Sequence, residues 1–149
     1  KMTYYFHFDP RAKSQNGESV TAFDYVATWD LYTSDGIRDP FSQEFWRKYE
    51  RPEALSKEIL KIKSKSNEWN KFLYCAQSFS ILPENVIGRI TPEQYMKNYH
   101  DKMMYGSGPY IFESAKTNEY ISLKRNPDWW GYQDVSSQGV YNFDKVPDP

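Results

Sequence analysis

Residues 106–131 read GSGPYIFESAKTNEYISLKRNPDWWG and give the clearest structural signal in the chain. Two runs rich in β-branched and aromatic residues, 110–114 and 119–124, flank the turn-forming pair Thr117-Asn118. This pattern predicts two antiparallel strands joined by a hairpin turn. The segment 126–131 follows the second strand, and its proline and two tryptophans predict a stiff, well-packed turn.

Upstream of this segment the pattern mixes further strands with short helices. Thr21, with Asp24 three residues later, predicts the start of a helix over 22–32, and Thr91-Pro92-Glu93 predicts the start of another. Strands are expected at 3–8 and 59–65, where apolar residues alternate with polar ones. Because strands and helices do not alternate strictly, the fold class is α+β, or irregular α/β.

Two further segments bear on the core and on the end of the chain. After Asp39-Pro40, four aromatic residues follow one another at helical spacing, and we expect all four to pack in the core: Phe41, Phe45, Trp46 and Tyr49. From residue 133 to residue 149 the sequence is typical of a loop. Pro147 and Pro149 argue against a regular element there.

Length and composition describe a folded, aromatic-rich chain of one-domain length. The 149 residues carry 19 Lys+Arg and 20 Asp+Glu, a net charge of −1, and 18% are aromatic. Nucleic-acid-binding proteins usually carry a basic excess or a basic face, so this balance predicts no nucleic-acid partner. The aromatic content argues against disorder. No apolar run approaches the roughly 18–20 residues needed to cross a bilayer.

Catalytic and metal-binding patterns are weak. The single cysteine, Cys75, lies in an apolar run, which favours a buried small hydrophobic residue over a reactive thiol. His7 and His100 lie far apart and neither has a metal-ligand spacing, and no Gly-rich phosphate loop occurs. We therefore expect no metal, no cofactor and no enzymatic activity.

Three stretches, taken together and in order, resemble the extracellular solute-binding proteins of family 5, the peptide-type binding components of bacterial ABC importers. They are Tyr4–Phe8 continuing through Asn16-Gly17 to Val20-Thr21-Ala22-Phe23-Asp24-Tyr25, then Gly106-Ser107-Gly108-Pro109-Tyr110, and then Leu123-Lys124-Arg125-Asn126-Pro127-Asp128-Trp129-Trp130-Gly131. The tail, Gly139-Val140-Tyr141-Asn142-Phe143-Asp144, resembles the branch that handles larger oligopeptides and microcin C.

The resemblance implies part of the first lobe of a two-lobed periplasmic-binding-protein fold, with β-hairpins and short helices. We expect residues 1–103 to form a strand-turn-helix subdomain, residues 104–149 to form a hinge-proximal strand pair with the Pro-Trp-Trp-Gly turn, and the second lobe to be absent. The implied function is capture of peptides or related small solutes for an ABC permease and its ATPase. The implied form is a monomer in the periplasm or outside the cell, with a lipid anchor at the cell surface as one variant and any signal segment outside these residues.

Site residues follow from the resemblance and from residue chemistry. Gly106 and Gly108 allow the backbone to approach a ligand or a neighbouring strand closely, and with Ser107 and Tyr110 they are the first candidates for ligand contact. Tyr32 and Trp46 are further candidates, because they fall in the region where the family's smaller subdomain faces ligand. For Trp129 and Trp130 we favour anchoring of the turn over ligand contact.

Two other classes of function stay open at this point. A free-standing aromatic carbohydrate-binding module would use an exposed planar row of Trp and Tyr side chains. A carboxylate-dependent hydrolase would use a residue such as Asp24 or Glu113. Helix-start electrostatics account for Asp24 and strand alternation accounts for Glu113, so the hydrolase is the weaker alternative.

Overall fold

The chain folds into two units that interleave along the sequence. The computed structural model describes residues 1–77, 80–100, 102–116 and 118–148. The first unit comprises Lys1–Asp9 with Thr21–Met104, and the second comprises Pro10–Val20 with Tyr105–Pro149. The mixture of helix and sheet agrees with the predicted α+β class.

The first unit combines a three-stranded sheet with five helices in its described residues. Its elements are β1 (Met2–His7), α1 (Ala22–Thr33), α2 (Pro40–Trp46), β2 (Glu53–Ala54), β3 (Ile59–Ser64), α3 (Lys71–Gln77), α4 (Glu84–Ile87) and α5 (Pro92–Asn98). The sheet is antiparallel in the order β1-β3-β2, with Tyr4 opposite Ile62 and Phe6 opposite Leu60. Leu60 and Ile62 are buried and the lysines between them are not, which confirms the predicted alternation.

The helix starts predicted from sequence are confirmed. The backbone N–H and the hydroxyl of Thr21 both donate to Oδ2 of Asp24, at 2.7 and 2.9 Å, and α1 begins directly after Thr21, at Ala22. Thr91 accepts a hydrogen bond from the backbone N–H of Gln94, whose side chain accepts one in return from the Thr91 N–H. In both helices the capping residues satisfy N–H groups that the first turn leaves without a helical partner.

Buried tyrosines fix α3 on the core of the first unit. The hydroxyl of Tyr25 donates to the Cys75 carbonyl and that of Tyr49 to the Lys71 carbonyl, both at 2.8 Å. Burial raises the pKa of both hydroxyls, so they remain protonated donors. Cys75 is itself buried in this core, as the sequence predicts.

The prediction of a four-residue aromatic stripe is wrong at Phe41. Phe41 is 81% exposed, whereas Trp46 is 3% exposed and Tyr49 is 1% exposed. Helix α2 ends at Trp46, so Tyr49 reaches the core from beyond the helix. Only the end of α2, at Phe45 and Trp46, packs against the core, and the first turn does not reach it.

The second unit is a three-stranded antiparallel sheet with short 3-10 turns. Its strands are β4 (Tyr110–Lys116), β5 (Tyr120–Arg125) and β6 (Lys145–Asp148), in the order β4-β5-β6. The hairpin of β4 and β5 is confirmed, with Asn118 at φ 61° in the turn; Thr117 lies outside the described residues. Lys13 and Ser19 form an antiparallel bridge that closes the turn around Asn16-Gly17.

The prediction of irregular structure to the end of the chain is wrong at β6. Val146 pairs with Leu123 and Lys145 with Lys124, so the strand extends the predicted hairpin to three strands. Pro147 lacks a backbone N–H, but β6 is an edge strand and needs to hydrogen-bond on one side only. Proline therefore limits where this strand lies in the sheet without preventing it.

Candidate functional site

Both indoles of the tryptophan pair hold the glycine-rich segment of the second unit. Nε1 of Trp129 and Nε1 of Trp130 donate to the carbonyl of Ser107, at 2.8 and 2.9 Å. A carbonyl oxygen has two lone pairs, so one acceptor satisfies both donors. The pair therefore anchors residues 106–109 as well as its own turn.

The neighbouring carbonyls of this segment also bind within the second unit. The Gly106 carbonyl accepts from the backbone N–H of Gln15 at 2.9 Å, and the Pro109 carbonyl accepts from the N–H of Asn126 at 2.7 Å. By contrast, the N–H groups of residues 106, 107 and 108 donate to no other described residue. Three of the four carbonyls in residues 106–109 thus accept hydrogen bonds, whereas three successive N–H groups have no acceptor among the described residues.

Neither glycine of this segment is required by the described fold. An added Cβ at Gly108 meets no described atom within 4 Å, and one at Gly106 comes no closer than 4.0 Å, to the Gly108 nitrogen. Positive φ occurs at Gly17 and Gly139 but at neither of these. Close approach of a neighbouring described strand therefore does not explain the glycines, and the space beside them is open.

An aromatic cluster surrounds the tryptophan pair, and only part of it was predicted from the sequence. The Trp129 ring lies 5.2 Å from that of Tyr132 and 5.1 Å from that of Tyr141, and Tyr141 is in turn 6.3 Å from Tyr110. A Cβ on Gly131 would lie 2.4 Å from Cζ2 of Trp129, so this glycine makes room for the indole. Tyr141 falls in the region predicted as loop and Tyr132 directly precedes it, and the aromatic character of both residues was the available signal.

The remaining predicted site residues lie in the first unit. Trp46 is buried in the core, with its ring 4.8 Å from that of Phe45, and presents almost no surface in this conformation. Tyr32 is half-buried and lines a cavity of about 470 Å³ together with Tyr95 and Arg38. Gly106, Ser107, Gly108 and Tyr110 thus lie together in one segment of the second unit, whereas Tyr32 and Trp46 belong to the first.

The carboxylates considered for hydrolysis have structural partners. Oδ2 of Asp24 accepts from Thr21, and Oδ1 accepts from the backbone N–H of Glu84 at 2.8 Å. Glu113 lies 2.9 Å from the Lys145 ammonium and accepts from the Ser122 hydroxyl at 3.0 Å. The hydrogen bond from Lys145 lowers the pKa of Glu113, which is opposite to what a general acid needs.

Throughout the described ranges, no group of three or more His, Cys, Asp or Glu side chains is placed to hold a metal ion. None of the helices among the described residues has the length and apolar character that a membrane span requires.

Solved structures define the class of fold. The oligopeptide-binding protein AppA from Bacillus subtilis, in complex with a nonapeptide, matches 86% of this chain with a TM-score of 0.76 at 24% identity, over 25% of its own chain. A periplasmic oligopeptide-binding protein from Thermotoga maritima with bound mannohexaose matches 90% of the chain with a TM-score of 0.72 at 22% identity, over 24% of its own chain. The chain therefore has part of the fold of a periplasmic binding protein.

Sequence comparison then gives the family. Residues 1–147 match the bacterial extracellular solute-binding proteins, family 5 Middle, and the chain belongs to this family. A binding protein of Brucella melitensis is 30% identical over 141 residues, which is 95% of this chain and 22% of that protein. The peptidoglycan-binding protein YepA of Agrobacterium fabrum is 30% identical over 142 residues, with the same two coverages. The chain thus spans 22% of the length of these relatives.

Proposed function

We propose that the chain forms part of the substrate-binding component of an ABC importer and contributes to the capture of peptides or related solutes. Its ligand contacts are the backbone N–H groups of Gly106, Ser107 and Gly108, with the Tyr110 side chain beside them. The partners are a membrane permease and its ATPase, and the location is the periplasm or the cell exterior. Family membership supports the role, and the three available donors support the ligand class.

The backbone of a peptide ligand supplies the acceptors that the N–H groups of residues 106–108 would bind. Each residue of an extended peptide offers a carbonyl oxygen, and its C-terminus offers a carboxylate, both of which accept from backbone N–H groups. Such bonds do not depend on the ligand's side chains. A glycine on each side of Ser107 leaves room for a ligand's main chain to come close.

The names of related proteins favour peptides within a range of solutes. A relative in Brucella ovis, 28% identical over 134 residues, is named as an ABC transporter peptide-binding protein. YepA is named for peptidoglycan, whose stem is a short peptide, and the Thermotoga structure contains mannohexaose. A peptide backbone would supply acceptors for the N–H groups of residues 106–108, and most of these names refer to peptides or to peptide-containing material.

Binding by these 149 residues alone should be weak. Burial of apolar ligand surface contributes ~25 cal/mol per Å², and a site formed by part of a protein buries only part of the ligand. The entropic cost of association, ~4–15 kcal/mol, is not reduced when the site is incomplete. We therefore infer that the chain supplies one side of a larger site.

Titration calorimetry against a mixture of short peptides tests this inference. The expected result is weak binding or none that calorimetry detects. Tight, saturable, one-to-one binding at sub-micromolar concentration would show that these residues contain a complete site. A glycan array and a hydrolysis assay test the other two classes: specific glycan binding without peptide binding, or turnover that a Glu113→Gln variant loses, would overturn the proposal.

A further inference from the structure

The cavity of the first unit has the size and the lining of a small-molecule site. It measures about 470 Å³, within the range of ~300–1,000 Å³ that is usual for such sites. Its lining includes Tyr32, Arg38, Asp39, Tyr95, Met96 and His100. These residues come from the end of α1, the turn before α2, α5 and the residues just after α5, so the cavity lies wholly within one unit.

One side of the cavity is apolar and well supported. Ile37 and Tyr95 are buried, and Met96 and Tyr32 pack against the same cluster. Burial raises the pKa of Tyr95 to about 12, so its hydroxyl stays neutral under ordinary conditions. This side offers aromatic and thioether surface to an apolar or aromatic group.

The other side of the cavity carries the charged side chains of Asp39 and Arg38, and the carboxylate of Asp39 is already hydrogen-bonded. Both carboxylate oxygens of Asp39 bind Ser42, Oδ1 from the backbone N–H at 3.2 Å and Oδ2 from the hydroxyl at 2.6 Å. Arg38 differs: its side chain is exposed and forms no hydrogen bond and no ion pair with any residue that the structure describes. Hydrogen bonds from its own backbone N–H and from Thr91 lower the pKa of Glu93, and the charge of Arg38 adds a smaller effect without an ion pair between the two side chains.

The backbone of Arg38 adds a second observation. Its φ is 55° and its ψ is 31°, a left-handed conformation that residues other than Gly, Asn and Asp rarely adopt. Arg38 is the C-cap of the 3-10 turn Asp35–Ile37, and glycine or asparagine would fill this position with less strain, so the turn requires the left-handed conformation but not an arginine. Strained positions of this kind are common where a side chain must be held toward a ligand.

We propose that this cavity binds a small organic carboxylate with an aromatic or apolar body, the carboxylate on the Arg38 guanidinium and the body against Tyr95 and Met96. A guanidinium binds a carboxylate through two parallel N–H donors, which a neutral group does not match. His100 also lines the cavity. The proposal is independent of the solute-binding role assigned to residues 106–110.

Phenylacetate, phenylacetamide and acetate are the probes, titrated into the 149-residue chain and followed by backbone amide shifts in NMR spectra. Phenylacetamide keeps the ring and removes the charge, and acetate keeps the charge and removes the ring. The test variant is Arg38→Asn, because asparagine tolerates the positive φ and so preserves the turn. The matched control is Arg89→Gln, an exposed arginine that does not line the cavity.

The expected result is saturable binding of phenylacetate that shifts amides of the cavity-lining residues. Arg38→Asn should weaken phenylacetate about tenfold or more, the size of one charge-assisted interaction, with an unchanged or higher melting temperature. Arg89→Gln should bind like the parent chain, and phenylacetamide and acetate should both bind more weakly than phenylacetate. Equal affinity for acid and amide, equal effects of the two variants, shifts at residues 106–108 instead, or no saturation by about 10 mM would each overturn the proposal.

Discussion

Substitution of Gly106 or Gly108 by alanine should stabilise the chain and weaken its solute binding. Neither position has a positive φ, and an added Cβ meets no described atom closer than 4.0 Å. Alanine then acts chiefly by reducing the conformational entropy of the unfolded chain. This should raise the free energy of unfolding by about 0.4–1 kcal/mol per substitution. For a chain of this length the melting temperature should rise by roughly 1–4 °C.

Two other glycines of the second unit provide matched controls. Gly17 has φ +85°, and a Cβ on Gly131 would lie 2.4 Å from the Trp129 ring, so alanine should destabilise the chain at both positions. Melting curves followed by circular dichroism compare the four variants directly. If Gly106→Ala or Gly108→Ala lowers the melting temperature as Gly17→Ala does, the fold itself needs those glycines. The inference that their open space serves a ligand would then be refuted.

Three further predictions concern the anchor and the core. Trp129→Phe or Trp130→Phe alone should lower the free energy of unfolding by less than half as much as the double substitution, because the Ser107 carbonyl keeps one indole donor in each single variant. Urea unfolding measures the difference, and strictly additive losses would contradict the prediction. Thr28→Val should destabilise by about 1–3 kcal/mol by leaving the buried Leu82 N–H without its acceptor at 2.9 Å, whereas Thr28→Ser should cost less. Burial raises the pKa of Cys75 to about 11, so the thiol stays protonated near neutral pH and should react with a thiol reagent far faster in urea than in buffer; equal rates would show it to be accessible.

Local signals sufficed where one short stretch determines the structure. The helix starts at Thr21 and Thr91, the alternation in 59–65 and the hairpin around Asn118 all depend on neighbours within a few residues, and all were predicted. The exposure of Phe41 could not be predicted in this way, because helical spacing gives a face but not the point at which the core ends. Strand β6 was missed because the prolines in this region argue against a strand, and the sequence does not show that the strand lies at the edge of the sheet, where a proline is tolerated.

The candidate site shows the same limit. The sequence indicated Gly106, Ser107 and Gly108 as a segment whose backbone can closely approach a ligand or a strand, and it indicated the tryptophan pair as an anchor. It could not show that both indoles bind one carbonyl, since residues 107 and 129 are brought together only by the folding of the hairpin. Nor could it distinguish Trp46, which lies in the core, from Tyr32, which lines a cavity.

The amide signals of Gly106, Ser107 and Gly108 in a nitrogen-15 NMR spectrum test the central claim most directly. A concentrated short peptide, titrated into the 149-residue chain, should shift these three signals together along one saturable curve, with weak affinity. A peptidoglycan-derived stem peptide should shift the same signals, and Gly108→Val should abolish the shifts while the rest of the spectrum stays that of a folded chain. Signals at 106–108 that stay fixed up to about 10 mM peptide would contradict the claim that this segment contacts the solute.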